Sequence, residues 1–189
     1  VRYPALRGEA RPPPVDDRAG GVVLSGMANP PPDASRTLLE ELQQSRPFRS
    51  PGQEAILGIA RTASLLNRFT AALLAPEGIS GSQYNVLRIL RGAGEAGLPT
   101  LAIRDRMIDP AAAITRLVEK LYDAGLVARD RGDGDRRQVV CRINEAGLAL
   151  LARLDPAVAE AEETIAGACS EAELRQLSAL LTTIRRSVG

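Results

Sequence analysis

Thr115 and Arg116 stand side by side in Ile114-Thr115-Arg116-Leu117-Val118-Glu119-Lys120-Leu121, where apolar residues recur three and four apart. On a helix that spacing gathers Ile114, Leu117, Val118 and Leu121 into one stripe and leaves Thr115 and Arg116 on the polar side. An arginine held there can donate to two acceptors at once, as on the edge of a guanine, and a threonine can meet a thymine methyl or a phosphate. A merely solvated helix face would carry the same residues. Lys120, one turn later, can reach a phosphate or pair with Asp123 along the helix. Farther on, Asp135-Arg136-Arg137 sets three charges in a row between Gly134 and the apolar run Val139-Val140-Cys141. An arginine at the tip of a hairpin can enter a narrow minor groove, where the negative potential of DNA is concentrated. The plainer alternative is a charged turn that keeps an edge strand soluble.

This is the chemistry of recognition rather than of bond-making. The chain has no histidine, so the usual imidazole base and the commonest nitrogen ligand for zinc are missing. Cys141 and Cys169 lie 28 residues apart, without metal-ligand or redox-pair spacing. Glu162 and Glu163 are adjacent, so on a helix they point about 100° apart and read as a solvated face rather than an acid–base pair. No glycine-rich phosphate loop and no nucleophile elbow appears. No catalytic residue, metal or cofactor is expected.

The elements that position these residues come from a chain of 189 residues, 44% hydrophobic but only 3% aromatic. Its core must therefore be built from Leu, Ile, Val and Ala. Net charge is +1, and the distribution matters more than the sum. Arg88 to Arg142 holds eleven cations and eight acids, a net +3, while residues 143–189 hold four and seven, a net −3. No apolar run approaches the roughly 20 residues of a membrane span, and so few cysteines suit a reducing cytoplasm. A cytoplasmic protein with no membrane partner is expected.

Eight of the thirteen prolines fall in the first fifty residues, so residues 1–34 are expected to be mostly unstructured, with Met27 a possible true start. Leu38, Leu39 and Leu42 give residues 36–44 a short helical stripe, which Arg46 to Pro51 breaks. The expected division is thus an extension over 1–50 and one domain over 51–189. Ile56, Ile59, Ala60, Ala63, Leu66, Phe69 and Leu73 predict a long helix over 53–75. Tyr84, Leu87 and Leu90 predict a second over 83–91. Thr100 is read as the N-cap of a short third helix, 101–107. Asp109-Pro110 is read as the N-cap and first turn of a fourth, 110–124, ended by Gly125. The period then changes. Residues 126–129 and 138–143 predict two strands around a charged tip, 130–136. Helices over 144–168 and 170–187 follow, the first kinked or split by Pro156, the second opened by a Ser170–Glu173 capping box. A short helix, a turn, a second helix and a hairpin, in that order, is a winged helix-turn-helix, whose second helix enters the major groove. The fold class is thus mainly α with a small β-hairpin wing.

The chain from Glu54 to Arg186, 133 of 189 residues, resembles the MarR family of bacterial transcriptional regulators. The resemblance rests on Gln83 to Leu90, on Ile114 to Leu121, on Ala124-Gly125-Leu126-Val127, and on Asp135-Arg136-Arg137 followed by Val139 to Ile143, Asn144, Glu145 and Gly147. It implies a homodimer held by the long terminal helices (53–75 and 144–187), with a winged module over about 80–143 on each copy reading double-stranded DNA. It also implies a small-molecule or redox signal that alters the spacing of those modules, and the expected action is that of a repressor on a pseudo-palindromic operator, released by a small-molecule effector. In similar proteins the positions of Asp135 and Arg137 form an ion pair that shapes the wing, although Gln138 departs from the serine or aspartate common there. The expected DNA-facing residues are Ser82, Gln83, Thr100, Arg104, Thr115, Arg116, Lys120, Arg131, Asp135, Arg136 and Arg137. Ser82 and Gln83 would act through backbone N–H groups at a helix start, and Arg104 through a phosphate or by packing its stem. Arg68, Tyr84 and Asn85 are the expected polar groups of an effector pocket. The redox-sensing branch of the family carries a cysteine near the start of its first long helix, and none lies there in this chain; Cys141 and Cys169 are read as small buried hydrophobes. The rival reading is a helical dimer whose winged module binds protein rather than DNA.

Overall fold

A computed structural model describes residues 36–110, 113–131 and 139–188. The expectations for residues 1–34 and Met27, and for the hairpin tip with Asp135, Arg136 and Arg137, lie outside the described residues, as does the side chain of Arg131. Leu38–Glu41 forms α1, opened by a capping box between Thr37 and Glu40. Pro51–Leu74 forms α2. Pro51 closes the break that follows α1 and opens α2. It sits at the first helical position, where its missing N–H costs nothing, and Ser50 accepts from the Gln53 N–H as cap.

Gly81–Ala93 forms α3. Its start is a full capping box, with Ser80 Oγ accepting from Gln83 N and the Gln83 side chain accepting from Ser80 N. Leu98–Pro99 forms β1, Thr100–Arg104 forms α4, Ile114–Asp123 forms α5, Val127–Arg131 forms β2 and Val139–Ile143 forms β3. The three strands make one antiparallel sheet in the order β1-β3-β2, with Leu98 opposite Cys141 and Arg129 opposite Cys141 on the other side. Glu145–Ala166 forms α6 and Glu171–Val188 forms α7.

Four expectations are corrected. The third helix is shorter and begins at Thr100 itself, with Pro99 at the cap position and no side-chain cap bond; the Thr100 hydroxyl faces the Cys141 sulfur instead, at 3.8 Å. The next helix begins at Ile114, not at Pro110, and Ala113 occupies its cap position. Asn85 Oδ1 accepts from the Ile108 N–H at 3.0 Å, which fixes a turn upstream of Pro110. Pro156 does not split α6, which runs through it. Leu150, Leu151 and Leu154 on one side of Pro156 and Ala161 on the other are all buried, and this packing carries the helix across one missing N–H. Gly125 does end α5 in the left-handed region, φ +69°, and Ser170 and Glu173 do cap α7. Finally, Cys169 is exposed, whereas Cys141 is buried.

The core lies inside the winged module and against α6: Val86, Leu87, Leu90, Ile103, Val118, Leu121, Cys141 and Leu151 are all sealed from solvent. The apolar stripes of α2 and α7 are not. Ile56 is 65% exposed and Leu180 55%, so most of both helices finds no cover among the described residues.

Ion pairs fasten the module to α6. Arg91 grips Asp155 with both terminal nitrogens, at 2.7 and 3.2 Å, and Arg153 grips Glu77 at 2.8 and 3.3 Å. The hydrogen bonds from the Arg91 guanidinium hold the Asp155 carboxyl below the usual range, against the opposing effect of burial; Arg153 does the same for Glu77. A depressed carboxylate pKa stabilises the fold above the ordinary value, and that contribution is lost as the pH falls through the lowered one. Both pairs are largely exposed, so each contributes at most about 1 kcal/mol. Asp155→Asn is therefore expected to lower the thermal midpoint slightly at neutral pH and not at all once wild-type Asp155 is itself protonated, a difference read by melting both proteins across the acid range.

Candidate nucleic-acid interface

α5 is built to expose one face. Ile114, Val118 and Leu121 are buried against α3 and α4, Leu117 is half-buried, and Thr115, Arg116, Glu119 and Lys120 are exposed. Tertiary packing of this narrow stripe holds the helix, because its N-terminus has no side-chain cap. Arg116 and Lys120 form no ion pair among the described residues; in particular, Lys120 does not pair with Asp123. Both are left with all their donors to offer to a partner.

The hairpin rises beside this helix. Arg129 on β2 lies over the ring of Tyr122, at 5.7 Å from its centroid, so a cation–π contact joins the end of α5 to the wing. Arg131 closes β2 just before the tip. Arg104 is exposed and bonds to its neighbour Asp105 through two nitrogens, so it reaches neither a distant partner nor the core. At the start of α3, the Gln83 N–H is already given to Ser80, which leaves Ser82 with the freer N–H. Thr100 is half-buried between α4 and β3. Missed in the sequence are Tyr122, Arg129 and Arg142. Their cue was present, an aromatic next to last in the helix and arginines at alternate strand positions, but which pairs meet is decided by sheet register.

Burial pushes the Cys141 thiol pKa up, opposed in part by the Thr100 hydroxyl and the charge of Arg129. A raised pKa and no exposure make it a poor nucleophile. Under native conditions a thiol-alkylating reagent is expected to modify Cys169 and spare Cys141; mass spectrometry should find a single adduct, and none in Cys169→Ser.

Away from this face, a cavity of about 790 Å³ lies between α2, α3 and α6. Tyr84 and Asn85 line it together with Asn67, Thr70, Arg88 and Glu162, while Arg68 is not among its lining residues. Arg88 sits 5.9 Å from the Tyr84 ring centroid and 4.0 Å from Glu162.

A winged helix with an exposed polar face on its second helix belongs to a class of DNA-reading folds, and comparisons with known proteins place the chain within it. Residues 79–139 match the sequence profile of the MarR family. A MarR transcription factor from Planctomyces limnophilus is 36% identical, with 72% of this chain and 99% of that one covered and a TM-score of 0.56. The transcriptional regulator PecS of Dickeya dadantii is 27% identical over 152 residues, 79% of this chain and 91% of its own. The fold also matches S. aureus MepR, solved as a DNA complex, with 21% identity, a TM-score of 0.65 and coverage of 69% and 95%. The chain belongs to the MarR family of transcriptional regulators. No helix among the described residues is long and apolar enough to cross a membrane.

Proposed function

We propose that the protein is a sequence-specific repressor that binds a pseudo-palindromic operator as a homodimer and is released by a small molecule. The observation that carries this reading is the exposed face of α5, where Thr115 and Arg116 stand with their donors unspent while the opposite face is locked into the core. Thr115 and Arg116 read base edges in the major groove, Lys120 and the Ser82 N–H meet phosphates, and the wing residues Arg131, Asp135, Arg136 and Arg137 serve the adjacent minor groove. The open stripes of α2 and α7, with Ile59, Leu66, Leu177 and Ile184 among their residues, supply the dimer surface. The cavity beside Tyr84, Asn85 and Arg88 takes the effector, and its place between α2 and α6 lets a ligand alter how the two readers are spaced.

The test is selection from random duplex DNA at near-physiological salt. Recovery of a pseudo-palindrome with half-sites about one helical turn apart supports the proposal; no enrichment, with negligible binding even at low salt, rejects it in favour of a protein partner. A steep fall of affinity with salt separates phosphate contacts from an apolar protein interface. Leu180→Glu combined with Ile184→Glu is expected to yield a monomer by sedimentation and to lose binding to the full site.

A further inference from the structure

Arg142 lies on β3, opposite Ala128 of β2, and its guanidinium works in two directions. Nε donates to the backbone carbonyl of Glu95 at 2.8 Å, and a terminal nitrogen donates to Asp130 Oδ2 at 2.8 Å. Glu95 belongs to the short 3-10 turn Gly94–Ala96 that precedes β1, whereas Asp130 is next to last in β2, opposite Val140. One side chain thus ties the outer end of the hairpin to the body on the far edge of the sheet. The body is shaped to receive it. Gly97, at φ +64°, has no Cβ, and one placed there would lie 2.5 Å from both Arg142 Cγ and the Cys141 carbonyl oxygen. The chain therefore closes tightly over the arginine stem, and only glycine can make that turn.

We infer that Arg142 is a positioning residue for DNA binding: held by Glu95 and Asp130, it sets the angle at which the wing leaves the sheet. It touches no base or phosphate itself. The inference rests on the DNA-binding reading above. A planar guanidinium can hold a carbonyl and a carboxylate at once through separate nitrogens, and a lysine ammonium on a flexible stem does not reproduce that fork. Breaking the tie lets the hairpin sample other angles, and apparent affinity falls by the fraction of molecules still competent to bind.

Asp130 gives this inference a sign that electrostatics alone does not share. Removing an acid from a DNA-facing wing should tighten binding if charge were all that mattered, and would also free Arg142 for a phosphate. If the tie positions the wing, Asp130→Asn weakens binding instead.

Affinity of the full chain for its selected duplex is measured by anisotropy across a salt series, for wild type, Asp130→Asn, Arg142→Lys and Arg142→Ala, with thermal midpoints alongside. A roughly fivefold loss is expected for Asp130→Asn and for Arg142→Lys, the size set by the stability of one exposed ion pair. Arg142→Ala should lose at least as much, with midpoints nearly unchanged in the first two. Tighter binding by Asp130→Asn overturns the inference while leaving the DNA-binding reading intact. Near-wild-type affinity of Arg142→Lys, with a salt slope lowered by about one in Arg142→Ala, also overturns it by making Arg142 a direct phosphate contact. Absence of DNA binding by wild type removes both.

Discussion

Arg116→Ala is expected to weaken binding to the selected operator by about 1–3 kcal/mol for each reading module and to relax preference at one base pair of each half-site. The size follows from what the side chain gives up. Arg116 is exposed and unpaired among the described residues, so the free protein loses nothing by its removal, and the whole effect falls on the complex. Stability should hardly change, because a solvent-facing helix position tolerates alanine, the best helix former. Competition assays with single-base operator variants, together with a melt of the free protein, check both halves. An equal affinity loss on every sequence would make Arg116 a phosphate contact and move base reading elsewhere on α5.

Gly147→Ala is expected to lower the stability of the fold substantially. Two effects oppose each other here. Alanine is favoured over glycine inside a helix by about 1 kcal/mol, and Gly147 is in the first turn of α6. Against this, a Cβ at Gly147 would run into the backbone carbonyl oxygen of Leu126 and come within 2.7 Å of Ile143 Cγ1. The Leu126 oxygen also accepts from Asn144 N at 3.3 Å, and Asn144 Oδ1 caps Gly147 N at 3.0 Å. Neither the carbonyl nor the cap can move without the other, so overpacking wins by about 3 kcal/mol. For a chain of this size that lowers the thermal midpoint by roughly 10 °C. A calorimetric midpoint within a degree or two of wild type would show that the turn between α5 and β2 yields more easily than its hydrogen bonds imply.

The parts legible in the sequence were those with a long period or a specific cap. The helices α2, α3, α6 and α7 follow from stripes sustained over several turns, and the Ser170–Glu173 box and the left-handed Gly125 mark ends that local chemistry dictates. The boundaries of α4 and α5 were misplaced because a distant contact decides them: Asn85, 23 residues upstream, holds the Ile108 N–H. β1 went unread because two residues ending in proline have no pattern, and the strand exists only through its pairing with β3. Cys169 looked like a core residue by type, yet the α6–α7 junction where it sits is exposed. Of the candidate site, Thr115 and Arg116 were readable from the amphipathic pattern of one helix. Arg142 was not, since its partners Glu95 and Asp130 lie 47 and 12 residues away.

Lys120 has a consequence of a practical kind. It is the single lysine among 24 basic residues, and it stands exposed on the outer face of α5. Any reagent or enzyme that acylates side-chain amines therefore has one ε-amine to find, and it lies on the face proposed to read DNA. A fluorophore attached there would report operator occupancy directly, and acetylation would remove one cation from that face while leaving every guanidinium untouched.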